Sequence, residues 1–554
     1  MIKKYILSVF CILSLAAVAQ WNTNSSINNG VAVAPKSQNS VHSASDANGG
    51  IIMAWDDNRN SATTQDDIYA QRLNKSGVRK WVLYGTVICN DAAIQKNSSI
   101  VEADNGSAII TWEDNRAGNN DIYAQKIDSS GNVLWTTNGI AVCSKTTAQK
   151  SPKIIGDNAG GAIIVWEDSL NFYWDIYAQR ISSTGSLLWA TGGVSICSAS
   201  NTQANPRIDV DGLGGAIFTW QDKRNNSDYD IYAQRVNSSG VAQWTTNGVL
   251  ICNSINTQSN PRIEPDGSNG AVIGWIDKRN GSDNNVYVQR INSSGVVQWT
   301  ANGVSVCSAA NNQSALDMKY IGSSGVILSW KDDRATANEI YTQLVSLSGI
   351  PQLTANGIKI SNGLKSINPN TISDGNGGAI IAWQDSTAIG WDIVSQKLNS
   401  TGTIQWANGG VIVSNASDDQ INVSQVSDGN GGAIYAWDDH RNGVDYDIYA
   451  YHLYNDGTAV VGINELIKSN VTQAICFPNP ISTNSSIQLL NNKLNKNWEI
   501  TVYDSYGRFV IKQLLSYNES YILNSHEYEG GVYFYFINLK DETTSFKGSF
   551  ISNK

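Results

Sequence analysis

Histidine, methionine and proline are scarce in this chain of 554 residues, at four, three and nine copies. The histidines (His42, His440, His452, His526) are scattered and lack the close spacing that a zinc-type ligand set needs, so no metal site is expected. Charged residues are also few, at 16%, and the acidic ones prevail, leaving a formal net charge of −10. That balance disfavours nucleic acid, whose phosphates call for a basic face. Beyond the first residues no apolar run approaches the roughly 20 residues that span a bilayer, so no transmembrane segment is expected. There is no G-x-S-x-G elbow and no glycine-rich phosphate loop, and the sequence selects no catalytic residue and no cofactor. What the chain does have is 48 glycines, 18 tryptophans and 23 tyrosines. Aromatic side chains with turn-forming glycine indicate an all-β protein.

The chain opens with Met1-Ile2-Lys3-Lys4, then an apolar run from Tyr5 to Val18, then Ala17-Val18-Ala19. A charged start, a short hydrophobic stretch and a small-x-small site make residues 1–19 a secretory signal peptide.

Residues 20–466 contain eight copies of one unit. A tryptophan marks each copy: Trp55, Trp112, Trp166, Trp220, Trp275, Trp330, Trp383 and Trp437, at intervals of 53 to 57 residues. In the fourth copy the turn Asp211-Gly212-Leu213-Gly214-Gly215 leads into Trp220, followed by Asp222, Arg224, Tyr232, Ser239-Gly240, Trp244 and Cys252. Four short strand-like runs separated by Gly/Asn/Asp/Ser turns describe one blade of a β-propeller. The last copy lacks its fourth strand, and Trp21 to Val33 has the pattern of that missing piece. An open solenoid would have no use for such a loan, whereas a ring would be closed by it, with no free edge. The expectation is therefore an eight-bladed β-propeller with terminal-strand closure, followed by a small C-terminal β-sandwich.

Trp220, Asp222 and Arg224 are two apart and share one face of a strand, as do the equivalent triplets of five other copies. Eight near-identical constellations point to scaffold: Trp wedged between blades, Asp and Arg tied at the strand end. Copies three and seven depart from this, with Ser169 and Ser386 in place of Arg and a new tryptophan before the next strand's Asp, Trp174 and Trp391. One reading is compensation, an indole filling the space of the missing guanidinium. The sharper reading makes Trp174, with Phe172 and Tyr173, and Trp391 candidate ligand-binding platforms for sugars or peptides. Cys89, Cys143, Cys197, Cys252 and Cys307 occupy one repeat position and read as buried free thiols. The glycine turns lack the alternating carboxylates of a calcium loop. Kelch propellers share the order of landmarks, and the resemblance implies architecture alone.

Past Gly462 the composition shifts to a second all-β segment. Pro478-Asn479-Pro480, then Val502-Tyr503-Asp504 with Gly507-Arg508, then Gly531-Val532-Tyr533 and the late Lys547 occur in order near the C-terminus. Residues 474–554 thereby resemble the type A C-terminal sorting domain of the type IX secretion system of Bacteroidota. The resemblance implies export across the outer membrane of a Gram-negative cell, with the secretion machinery as partner and release or attachment to surface lipopolysaccharide afterwards. The whole then reads as a secreted or cell-surface binding or scaffold propeller, its ligand a polysaccharide or a protein. The alternative is an exported carbohydrate-active enzyme, a glycoside hydrolase or lyase, on the same scaffold.

Overall fold

In a computed structural model the described residues are 21–170, 172–335, 337–459, 473–477, 481, 485–490, 497–516, 519–539 and 545–552. The expected signal peptide, and Pro478, Asn479 and Pro480, lie outside them. The chain divides into two units, 1–459 and 460–554.

The first unit contains eight four-stranded antiparallel sheets. In the fourth, strands Gln203–Val210, Ala216–Asp222, Asp230–Val236 and Val249–Cys252 lie side by side in chain order. The second strand is buried at every position, because both faces of each sheet are covered by neighbouring sheets. Its turn is closed by Asp211, whose Oδ1 accepts the backbone N–H groups of Leu213 and Gly215 at 2.8 Å each. The other carboxylate oxygen of Asp211 pairs with Arg235 at 2.9 Å. The third strand buries Gln234, which donates to the Thr245 carbonyl at 2.8 Å and accepts from the Trp244 N–H at 3.1 Å. No polar group of that amide is wasted on an apolar neighbour.

The first strands of successive sheets adjoin one another in order, and the eighth adjoins the first. The outermost strand of the eighth sheet is Asn29–Ala32, paired antiparallel with Asp447–Leu453 through Asn29↔Ala450 and Gly30↔Tyr449. The first unit is an eight-bladed β-propeller closed by its N-terminal strand. Two side chains reinforce that seam. Asp438 accepts the Ser40 and Val41 N–H groups at 2.8 and 3.2 Å, and the Trp21 indole donates to the Lys75 carbonyl at 2.9 Å. Trp189 and Trp244 make the same bond to the next blade, to Ser238 and Ser293 at 3.0 Å. Gly240 lies over the Trp189 ring with φ 82°, where a Cβ would come within 2.8 Å of the indole.

Each first strand carries a bulge. In the fourth blade it sits between Ala204 and Arg207, with Asn205 at φ 54°. The Asn205 N–H reaches Glu167 Oε1 of the preceding blade at 2.9 Å, and Ser151 reaches Glu113 at 2.8 Å. Thus the residue after the repeated tryptophan locks the next blade's bulge.

In the second unit, strands Gln473–Phe477, Ser485–Leu490 and Tyr521–Leu523 form one sheet. Phe509–Leu515, Trp498–Asp504, Gly531–Leu539 and Ser545–Ser552 form a second, in that spatial order. Ile487 and Leu523 of one and Trp498, Ile500, Val502 and Ile537 of the other share a core, giving a sandwich-like pair.

Candidate functional site

All eight repeat tryptophans are fully buried. In the fourth blade the Trp220 indole donates to Asp222 Oδ2 at 2.7 Å, and Arg224 grips both carboxylate oxygens at 2.9 and 2.7 Å. The guanidinium also donates to the Asn247 carbonyl at 2.8 Å and lies 3.7 Å over the Tyr232 ring. Cys197 of the preceding blade sits 3.7 Å from the same carboxylate. The indole, the carboxylate and the Nε and one Nη of the guanidinium are thus occupied inside the fold, so these repeated residues tie strand ends and neighbouring blades together. The five repeat cysteines are buried and free, and burial pushes thiols such as Cys197 up to about 12.

The third blade corrects the compensation expected for its missing arginine. The space beside Asp168 is taken by Lys145, whose ammonium lies 2.9 Å from the carboxylate and 3.9 Å over the Tyr177 ring. The Trp174 indole is elsewhere. With Asp168 turned to Lys145 and to Thr147 at 3.0 Å, the buried Trp166 N–H has no hydrogen-bond partner among the described residues. In the seventh blade Trp383 keeps its bond to Asp385 at 2.7 Å, and no cation pairs with that carboxylate among the described residues; burial raises its pKa.

The four candidate platform residues lie on two sheets. Strands Ala162–Leu170 and Tyr173–Ile181 have nine residues each, against seven in the fourth blade. This longer hairpin carries Phe172 at its tip, fully exposed with φ 71°, and Tyr173, 47% exposed. Trp174 is half-buried, with the Lys150 ammonium 3.8 Å over its ring and 3.4 Å from Glu167. Trp391 is half-buried on the seventh sheet, its backbone N–H donating to Asp419 Oδ1 at 3.1 Å. Phe172, Tyr173 and Trp174 are together; Trp391 belongs to a sheet four places round the ring.

A second constellation escaped the sequence reading. One position on each first strand, opposite the residue before the repeated tryptophan, lines the channel along the ring axis. Around part of the ring it is Lys153, Arg207, Arg262 and Asp317, in register with Val165, Thr219, Gly274 and Ser329. Around the rest it is Asn370, Ser424, His42 and Ser99. A cavity of about 400 Å³ is bounded by His42, Asn370 and Ser424. Two residues further on stand Asp209, Glu264 and Lys319, with Lys319 on Glu264 at 3.0 Å. Burial, more than any neighbouring charge, raises Asp209, Asp317 and Glu264, the last to about 7. The signal available in the sequence was a position varying in charge within an otherwise regular repeat. Among the described residues no group of three or more His, Cys, Asp or Glu side chains could hold a metal ion.

In the second unit, Asp504 Oδ1 accepts the N–H groups of Tyr506 and Arg508 at 2.9 Å, and its other oxygen meets Arg508 Nε at 2.6 Å, closing the turn through Gly507 at φ 76°. Tyr533 is buried, stacked on Phe550 at 5.2 Å, while Gly531 opens the same strand and Lys547 lies in the next, opposite Phe536. Residues 475–551 match the family described as secretion system C-terminal sorting domain. This segment is a secretion sorting domain. It gives the chain the type IX machinery as partner and the outer surface or exterior of a Gram-negative cell as destination. No helix among the described residues is long and apolar enough to cross a membrane.

No curated protein matches the sequence. Similar solved structures include a puromycin hydrolase, 11% identical, with TM-score 0.42, covering 76% of this chain and 61% of its own. The chain thus spans less than two thirds of that hydrolase. An α-L-arabinofuranosidase, Arb93A, from Fusarium graminearum is 10% identical, with TM-score 0.34, covering 66% of this chain and 94% of its own. A protein of unknown function from Dyadobacter fermentans is 8% identical, with TM-score 0.35, covering 67% and 97%.

Proposed function

We propose that the exported propeller is a non-enzymatic binding module, held on surface lipopolysaccharide or released after sorting. Its ligand, a glycan or a protein, meets the end of the hairpin that carries Phe172, Tyr173 and Trp174, with Trp391 as a second contact. The observation that carries this reading is the lengthened hairpin of the third blade, which holds an unsupported phenylalanine in water at its tip. Such exposure costs solubility and is offset when the ring stacks on a sugar or apolar side chain. Lys150 over Trp174 fixes the indole plane, which lowers the ordering cost of binding.

The test is a glycan and polysaccharide array with the purified chain, repeated with Trp174→Ala plus Trp391→Ala and with Phe172→Ala. Loss of the bound ligand at an unchanged thermal midpoint is expected. Undiminished binding by the variants would overturn the reading. One observation favours the enzymatic alternative, the channel carboxyls Asp209, Glu264 and Asp317, all raised by burial, since a carboxyl that keeps its proton can serve as the general acid of glycoside hydrolysis. Turnover in a polysaccharide hydrolysis and lyase screen, abolished by Glu264→Gln, would establish it.

A further inference from the structure

Elsewhere in the propeller a buried cation has its own carboxylate, as Arg224 has Asp222 and Arg235 has Asp211. Three channel cations depart from this economy. Lys153, Arg207 and Arg262 stand at one level on the first strands of three adjacent blades. Arg262 has a loose partner in Asp317, at 3.4 Å. Lys153 and Arg207 form no ion pair among the described residues, and Arg207 donates to the carbonyl of Pro206 at 3.2 Å. All three are half-buried, so water reaches them while protein surrounds them.

This arrangement is unfavourable as it stands. Burial, then the charges of Arg207 and Arg262, push the Lys153 ammonium down to about 8. Burial, then Arg262, push Arg207 down to about 9. Burial and then the charge of Lys153 hold His42 near 4, so the field of this cluster reaches the far wall. Glu113 and Glu167 act on Lys153 from the second strands, and Glu167 and Asp317 on Arg207, without cancelling it. The cavity of about 400 Å³ at His42, Asn370 and Ser424 lies against the first strands of the seventh, eighth and first blades. A scaffold gains nothing from like charges gathered at one level of three adjacent strands, whereas an anion would turn their repulsion into attraction.

We propose that Lys153, Arg207 and Arg262 form an oxyanion-binding site in the propeller channel, for a carboxylate or sulfate group, free or carried on a sugar. A guanidinium presents paired N–H donors that match the oxygens of such a group, and the ammonium adds a point charge. The site does not depend on the aromatic face: Trp174→Ala with Trp391→Ala leaves anion affinity unchanged, so the two readings fail separately.

Calorimetric titration of the full chain, purified after export, with sodium sulfate, sodium glucuronate and glucose tests it. Sulfate and glucuronate bind, glucose does not, and affinity falls with added sodium chloride. Tighter binding of glucuronate than of sulfate assigns the anion to a sugar, and the reverse to a free oxyanion. Lys153→Gln and Arg207→Gln each weaken binding by about tenfold or more. Their thermal midpoints hold or rise, because like-charge repulsion is relieved. Absence of heat with either anion at millimolar concentration, equal affinity for glucose, or full affinity in both variants would overturn the proposal.

Discussion

A single carboxylate in each complete blade accepts an indole N–H and both arms of a guanidinium, and the pair is buried on one side and half-buried on the other. At Asp222 the carboxylate is wholly buried and Arg224 is 22% exposed. Removing one member of such a pair leaves the other charge uncompensated, so Asp222→Ala should cost about 3 kcal/mol. Asp385→Ala should cost distinctly less, because that aspartate has its tryptophan but no cation among the described residues. Calorimetric melting of the two variants beside the native chain checks the order. The triplet was legible because residues two apart on a strand share a face. The substitute in the third blade was not. Lys145 lies 23 residues before Asp168, in the connection from the preceding blade, and no local period links them.

Between the second and third strands of most blades two aspartates stand opposite each other, as Asp222 and Asp230 do. Burial first, and then neighbouring aspartate charges, raise Asp121, Asp175, Asp230, Asp392 and Asp447 to about 6. An unfolded aspartate titrates near about 4. Between about 4 and 6 the folded chain therefore holds more protons than the unfolded one, and stability falls as pH rises through that window. The thermal midpoint should be higher at pH 5 than at pH 8, by a modest margin because these groups are partly open to water. A midpoint that climbs steadily from pH 5 to pH 8 would contradict this. Asp332 acts in the opposite sense at lower pH: burial opposes its charge, but hydrogen bonds from Arg334 and Trp330 outweigh that and hold its pKa down. Its contribution is lost only as pH falls below the ordinary aspartate range. At this same scale the channel cluster was hidden from the sequence. The bulge between Ala204 and Arg207 breaks the period-two alternation, so the side on which Arg207 emerges cannot be counted from the strand's start.

At the scale of the molecule, sheet number, blade order and the borrowed strand were all readable, because the repeat is local and its one incomplete copy announces what is missing. Deleting residues 21–33 should bare the edge of Asp447–Leu453 and remove the Trp21 bond to Lys75. The product should melt earlier and self-associate, measured by light scattering after size-exclusion chromatography. The sorting domain was readable for a different reason, its ordered motifs, of which Gly507, Gly531 and Tyr533 fall at a turn, a strand start and the core. A chain ending before residue 475 should keep the propeller's thermal midpoint yet stay inside the cell, as fractionation and immunoblotting would show. Equal surface display of the shortened chain would contradict the assignment.

The seam between Asn29–Ala32 and Asp447–Leu453 also imposes an order in time. Asn29–Ala32 must wait for its partner, since that partner is made more than four hundred residues later. Until then the growing chain is a stack of blades with two unsatisfied ends, one of them waiting for a segment already present but useless. Completion is thus a single late event rather than a gradual one, and the interval before it is when the chain is most exposed to capture by proteases, chaperones or a second unfinished copy.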